Sequence, residues 1–193
     1  MSTGVVVLIV IAVLALILYW LYVKVISTRN RALEALSSID VQLRKRYDLL
    51  PNLLKLAQRY MEHERELLED VTKLRSRFQE TEQPKTTEQA SEHLGVIQAL
   101  EGKLGRLMVQ VEAYPDLKAE QPVQEAMTQF GEVEGHISAA RRFYNSAVTD
   151  LNNLVQIFPT STIARMVNVR EMPYYEVEEA AAREPVNVDD HMR

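Results

Sequence analysis

From Gly4 to Val23 the chain carries no charged side chain. As a helix rising 1.5 Å per residue, that stretch is roughly 30 Å long, which matches the hydrocarbon thickness of a bilayer. Tyr19, Trp20 and Tyr22 stand at its far end, where amphipathic rings favour the membrane–water interface. A cleaved signal peptide would show a basic leading region and a small-x-small site after the apolar run, and neither is present. The expectation is a retained transmembrane helix, with Gly4, Leu8, Leu14, Tyr19, Trp20 and Val23 marking the span and the lipid bilayer as its partner. Lys24, Arg29 and Arg31 follow it. Positive charge flanking one end places the C-terminal part of a single-pass protein in the cytoplasm. That bias rests on few charges, so a periplasmic or extracytoplasmic domain is the alternative.

Beyond the apolar run the pattern becomes amphipathic. Leu36, Leu43, Leu50, Ala57, Val71 and Phe78 share one heptad position, and Ile39, Leu53, Tyr60, Leu67 and Leu74 share the position three residues on. This is a broad helical stripe, interrupted by Arg46 and Glu64. Pro51 falls in its middle and the phase survives it. Proline removes an N–H and crowds the preceding turn, so a helix over Arg29–Glu80 kinked at Pro51 is expected. A hairpin at Pro51 is the rival reading, but the glycine that usually helps a reversal is missing. Lys24–Asn30 holds no Pro or Gly, so the anchor and the first bundle helix should form one rod.

Thr81–Thr86 is a polar connection, and Thr86 with Gln89 has the spacing of a capping box. The helix it opens has an apolar face of Ala90, Leu94, Ile97, Leu104, Met108 and Val111. Gly95, Ala99 and Gly102 line up on it, which predicts close packing in the bundle. A turn over Ala113–Gln121 leads to a helix from Pro122 to about Phe158, with Phe130, Ile137, Tyr144, Leu151 and Phe158 on its apolar face. Residues 160–167 add a turn or two. From Asn168 onward, prolines and acidic residues predict an extended or disordered tail whose sticky patch is Pro173, Tyr174 and Tyr175. The expected fold class is therefore all-α. A transmembrane anchor (1–28) leads into an elongated antiparallel, four-helix-bundle-like domain (29–167) and an acidic tail (168–193).

Chemistry-bearing motifs are sparse. The chain has no Cys, which excludes disulfides and thiol catalysis. There is no phosphate-binding glycine loop, no H-E-x-x-H and no nucleophile elbow. The formal net charge of -5 does not indicate a nucleic-acid partner. Glu62, His63, Glu64 and Glu66 are the one candidate metal cluster. A di-iron bundle needs Glu-x-x-His, and Tyr60, Ala90 and Val133 occupy the positions where those glutamates would stand. No cofactor is expected.

Arg46 stands at a stripe position, so its stem should be partly buried and its guanidinium must find acceptors. The nearest is the Tyr47 carbonyl, freed by Pro51. Helix 122–158 offers Asp150 with Asn145, Asn152 and Asn153, and its Arg141 or Arg142 can meet Asp40 or Asp48. These residues, together with Pro51 and Asn52, form the expected structural polar layer joining the first and last long helices.

The run Ser38–Leu53, containing Asp40-Val41-Gln42-Leu43-Arg44-Lys45-Arg46-Tyr47-Asp48-Leu49-Leu50-Pro51-Asn52, resembles the signature of the LemA family of bacterial membrane proteins. Tyr60-x-x-His63-Glu64, Tyr114–Ala119, Ala140–Asn145, Phe158-Pro159 and Pro173–Glu176 resemble its later blocks, in order. The resemblance implies one N-terminal membrane helix and an all-α, four-helix-bundle-like domain. It implies no catalytic residues. The functional expectation is a non-enzymatic membrane-anchored scaffold, self-assembling or bound to a helical partner. The alternative is a signalling adaptor whose tail or bundle recruits a soluble protein, and a Glu/His metal-dependent enzyme ranks behind both.

Overall fold

A computed structural model describes residues 2–176, and among these the chain is all-α. Helix α1 (Thr3–Tyr47) runs 45 residues without a break. Ser27, a weak helix former, returns its hydroxyl to the Lys24 carbonyl at 3.0 Å and so stays within the helix. Residues 4–20 are exposed, and burial begins at Leu21 and Val25. The apolar segment and the first bundle helix are thus one rod.

α1 stops at Tyr47, because Pro51 has no N–H to offer the Tyr47 carbonyl. After two turn residues, α2 (Leu50–Tyr60) starts with Pro51 in its first turn. The chain reverses further on, at Met61 and the 3-10 turn Glu62–Glu64. Helix α3 (Arg65–Thr81) returns antiparallel to α1: Phe78 meets Tyr47 edge-on at 4.9 Å, and Glu82 pairs with Arg44. The expected single kinked helix over Arg29–Glu80 therefore has two interruptions, the second of them a hairpin. Four residues, Met61–Glu64, make the reversal. That is close to one helical turn, so the heptad columns pass through it in phase.

Helix α4 (Thr87–Glu112) runs back along α3, tied by Lys103 to Asp70 at 2.6 Å. Its cap is Thr86, whose hydroxyl accepts the Gln89 N–H at 3.2 Å, while the Gln89 side chain accepts from the Lys85 N–H at 2.9 Å. Short α5 (Pro115–Ala119) leads into α6 (Gln121–Gln156), which packs antiparallel to α1. Helix α7 (Thr160–Met166) closes with Asn168 in the left-handed region (φ 52°) and the Val169 N–H on the Ala164 carbonyl at 2.9 Å, a Schellman ending. Four arms result: α1 with α2, then α3, α4 and α6. Their shared core includes Leu36, Ile39, Leu53, Ile97, Ile137 and Leu151.

Three expectations are revised. Gly95, Ala99 and Gly102 face outward, and a Cβ added at either glycine would meet nothing within 4 Å, so they are not close-packed in the bundle. Phe158 is 79% exposed rather than on the core face, because α6 ends at Gln156 and Ile157 is extended. Residues 169–176 form no helix or strand, and Val169, Met172 and Tyr175 are buried against the bundle rather than solvated. The remainder of the expected tail, from 177, lies outside the described residues.

Candidate functional site

The last turn of α1 supplies Arg46 and Tyr47 to a charged cluster at one level of the bundle. Arg46 Nη1 donates to Glu101 Oε2 of α4 and Glu134 Oε2 of α6, each at 2.9 Å. Arg141 of α6 meets the same two carboxylates at 3.4 and 3.3 Å. The Tyr47 hydroxyl donates to Glu101 Oε1 at 2.7 Å. Both guanidinium groups lie over rings, Arg46 over Phe130 at 5.3 Å and Arg141 over Tyr175 at 4.6 Å, and their buried Nε atoms have no hydrogen-bond partner among the described residues. Burial, followed by the Glu101 charge and hydrogen bond, holds the Tyr47 hydroxyl well above its ordinary pKa. Burial also pushes Tyr175 up to about 12, with Glu101 adding to the shift and Arg141 opposing it. Both tyrosines stay neutral at neutral pH, Tyr47 as the donor to Glu101 and Tyr175 as an acceptor from Arg141 Nη2 at 3.4 Å. Two cations and two anions so placed fix the register of α1, α4 and α6 more than they stabilise it, since desolvation offsets most of the attraction. The cluster floors a groove of about 1340 Å³ whose walls include Asp70, Lys103, Arg106 and Val109.

A second polar join lies in the core below. The fully buried His93 ring places Nε2 2.8 Å from Asp40 Oδ1 and Nδ1 2.7 Å from Thr81 Oγ1, linking α4, α1 and α3. Thr, His and Asp in contact invite comparison with a nucleophilic triad. Here the ring is sealed at 0% exposure, and the Thr81 hydroxyl also donates to the Arg77 carbonyl at 3.0 Å, so the set reads as a packing join.

The third join docks the segment 169–176. The Asn145 side chain donates to the Tyr175 carbonyl at 3.1 Å and accepts the Tyr175 N–H at 2.8 Å. Asn152 repeats this with Met172, at 2.9 and 3.0 Å. Seven helical residues make about two turns and rise about 10.5 Å, so both asparagines lie on one face of α6, at a separation that three residues of chain can cover. Each amide presents one donor and one acceptor, as a neighbouring strand would.

The family model described as the LemA family matches residues 35–189. The chain belongs to the LemA family. Protein LemA of Metamycoplasma hominis is 26% identical over 177 residues, which is 90% of this chain and 77% of that protein. All three joins of this LemA-family chain fall inside the matched residues.

The expected polar layer is redistributed. Among the described residues no hydrogen bond or ion pair joins residues 40–52 to residues 141–153; instead α6 presents Phe130 and Glu134 to Arg46, about four to six turns away from Asp150. The Tyr47 carbonyl is capped by Arg75 Nε of α3 at 3.1 Å, not by Arg46. Asp40 pairs with His93 rather than an α6 arginine. Asp48, Pro51, Asn52 and Arg142 are exposed, Arg142 donating to Ser138 at 3.1 Å. Asp150 lies 4.0 Å from Arg31. In the tail patch, the Pro173 carbonyl accepts from the Tyr144 hydroxyl at 2.8 Å, Tyr175 is buried and Tyr174 remains 43% exposed. Glu62 and His63 are exposed in the 3-10 turn, and no group of three or more Asp, Glu or His among the described residues is placed to hold a metal ion.

Glu101, Glu134 and His93 were not singled out from the sequence. A signal existed for the glutamates in this LemA-family chain. Glu101 lies four residues after Ile97 and three before Leu104, and Glu134 lies four after Phe130, so both interrupt apolar faces as Arg46 does.

Proposed function

We propose that this chain is a non-enzymatic scaffold of the bacterial cytoplasmic membrane, anchored through residues 4–23 with its bundle in the cytoplasm. It holds a second copy of itself or another helical protein at a set distance from the bilayer. The observation that carries the reading is the continuity of α1: the apolar run and the bundle's central helix are one 45-residue element, so anchor and bundle move together. Lys24, Arg29 and Arg31 support the cytoplasmic side. The charged and polar side chains of the three joins pair with one another and with the segment 169–176, which suits mechanical coherence rather than turnover. The exposed Tyr174 ring favours the second reading, an adaptor that recruits a soluble protein, although Tyr175 beside it is turned inward.

The test is in-cell photo-cross-linking from Val109 and from Met166, both exposed apolar positions. The scaffold reading expects adducts with the chain itself or with one membrane-associated helical protein. A monodisperse monomer in detergent with no adduct from either position counts against it. Single cysteines in this Cys-free chain, probed from each side of the membrane, read the topology.

A further inference from the structure

We propose that the α6–α7 corner, Ile157-Phe158-Pro159, inserts into the interfacial layer of the bilayer beside α1, giving the bundle a second lipid contact. The proposal rests on reading residues 4–23 as the anchor. Ile157 and Phe158 are 60% and 79% exposed at the end of an otherwise amphipathic helix. They line one hollow with Trp20, Leu21 and Lys24, at the end of the apolar run. The α1–α6 register agrees. Arg46 faces Phe130 and Glu134, and Arg31 faces Phe143 and Asp150, so paired positions total 174 to 181, and Phe158 falls level with residues 16–23.

Depth then follows from the rod. α1 is unbroken between Trp20 and Arg46, so whatever depth Trp20 takes is shared by the corner packed beside it. An indole with Lys24 Nζ 5.2 Å from its ring belongs at the headgroup boundary, the amine reaching toward phosphate. Asp150, the acidic wall of the hollow, lies about two turns further from the membrane and faces Arg31. The corner is thus a large apolar pair held at lipid depth, and lipid is the occupant that its continuity with the anchor selects.

The full chain in phosphatidylcholine–phosphatidylglycerol vesicles tests this. Phe158→Cys, an exposed position whose replacement spares the core, carries an environment-sensitive fluorophore, and Val109→Cys carries the same dye as the distant control. Nitroxide lipids should quench Trp20 and the 158 label alike, and iodide quenching at 158 should be several-fold weaker than at 109. Equal iodide quenching at 158 and 109, with Trp20 still quenched by nitroxide lipid, overturns the proposal while leaving the anchor intact. A 158 label shielded from iodide but untouched by nitroxide lipid also overturns it, and assigns the corner to a protein contact. Trp20, the chain's one tryptophan, failing to respond to nitroxide lipid removes the anchor reading itself.

Discussion

The side-chain amide of Asn152 and the backbone of Met172 exchange two hydrogen bonds, 2.9 and 3.0 Å long, at a site where both residues are buried. Asn152→Ala leaves a backbone N–H and carbonyl without partners, at a cost of about 1–3 kcal/mol. The expected result is a lower Tm with faster tryptic cleavage at Arg170. Asn145→Ala, at a half-buried position, should cost less. Equal melting of wild type and Asn152→Ala would show that the segment is held by Met172 packing alone.

Leu53 is 1% exposed in the first turns of α2. Leu53→Asp buries a carboxylate without a partner, which costs several kcal/mol of a total of about 5–15. Loss of the cooperative thermal transition is the expected outcome, read by circular dichroism. An unchanged Tm would place this face outside the core.

Arg46 and Glu101 are both about five-sixths buried, with side-chain exposures of 15% and 16%. Glu101→Gln removes the charge that both arginines share and should destabilise by about 2–4 kcal/mol. A double-mutant cycle on Arg46 and Glu101 should show coupling above about 1 kcal/mol, whereas the cycle on Arg46 and Asp150 should show less than about 0.5. The reverse ranking would contradict the register described here.

Alkaline pH should unfold the bundle through its tyrosines. Burial raises Tyr47, Tyr144 and Tyr175 above the ordinary value of 10.0, so the folded chain keeps protons that the unfolded chain releases. Their contribution is complete below pH 10 and is lost as pH rises through the folded values, from about 12 at Tyr175 upward. A tyrosinate absorbance titration should show these three ionising above the ordinary tyrosine range, together with loss of helicity. Titration of every tyrosine near pH 10 with helicity retained would refute this.

Helical periodicity records which face of a helix is inward, and little else. That is why the core positions, the all-α class and the odd placement of Arg46 were legible, and why Arg46's partners were not. Choosing Glu134 over Asp150 requires the offset between α1 and α6, which lie far apart in the chain. The reversal at Met61–Glu64 was hidden for a related reason: it holds no Gly or Pro, and its length keeps the apolar columns in step. His93 gave no pattern at all, since a lone histidine on an apolar face acquires meaning only once Asp40 is beside it. Asn152 was visible as a polar residue on α6, but its match to the Met172 backbone depends on a segment whose composition suggested solvent.

With residues 4–23 as the proposed anchor, the unbroken course of α1 makes the molecule's stand-off from the membrane a quantised property. From Val23 to Arg46 the helix climbs roughly 35 Å, which on that reading is the altitude of the groove floor above the lipid boundary. Each residue inserted between anchor and core would lift the groove by about 1.5 Å and swing it through about 100°. Height and compass bearing are therefore one variable. Steps of seven or eleven residues, adding about 10 or about 16 Å with a drift of about 20° in opposite senses, leave the same face looking nearly the same way.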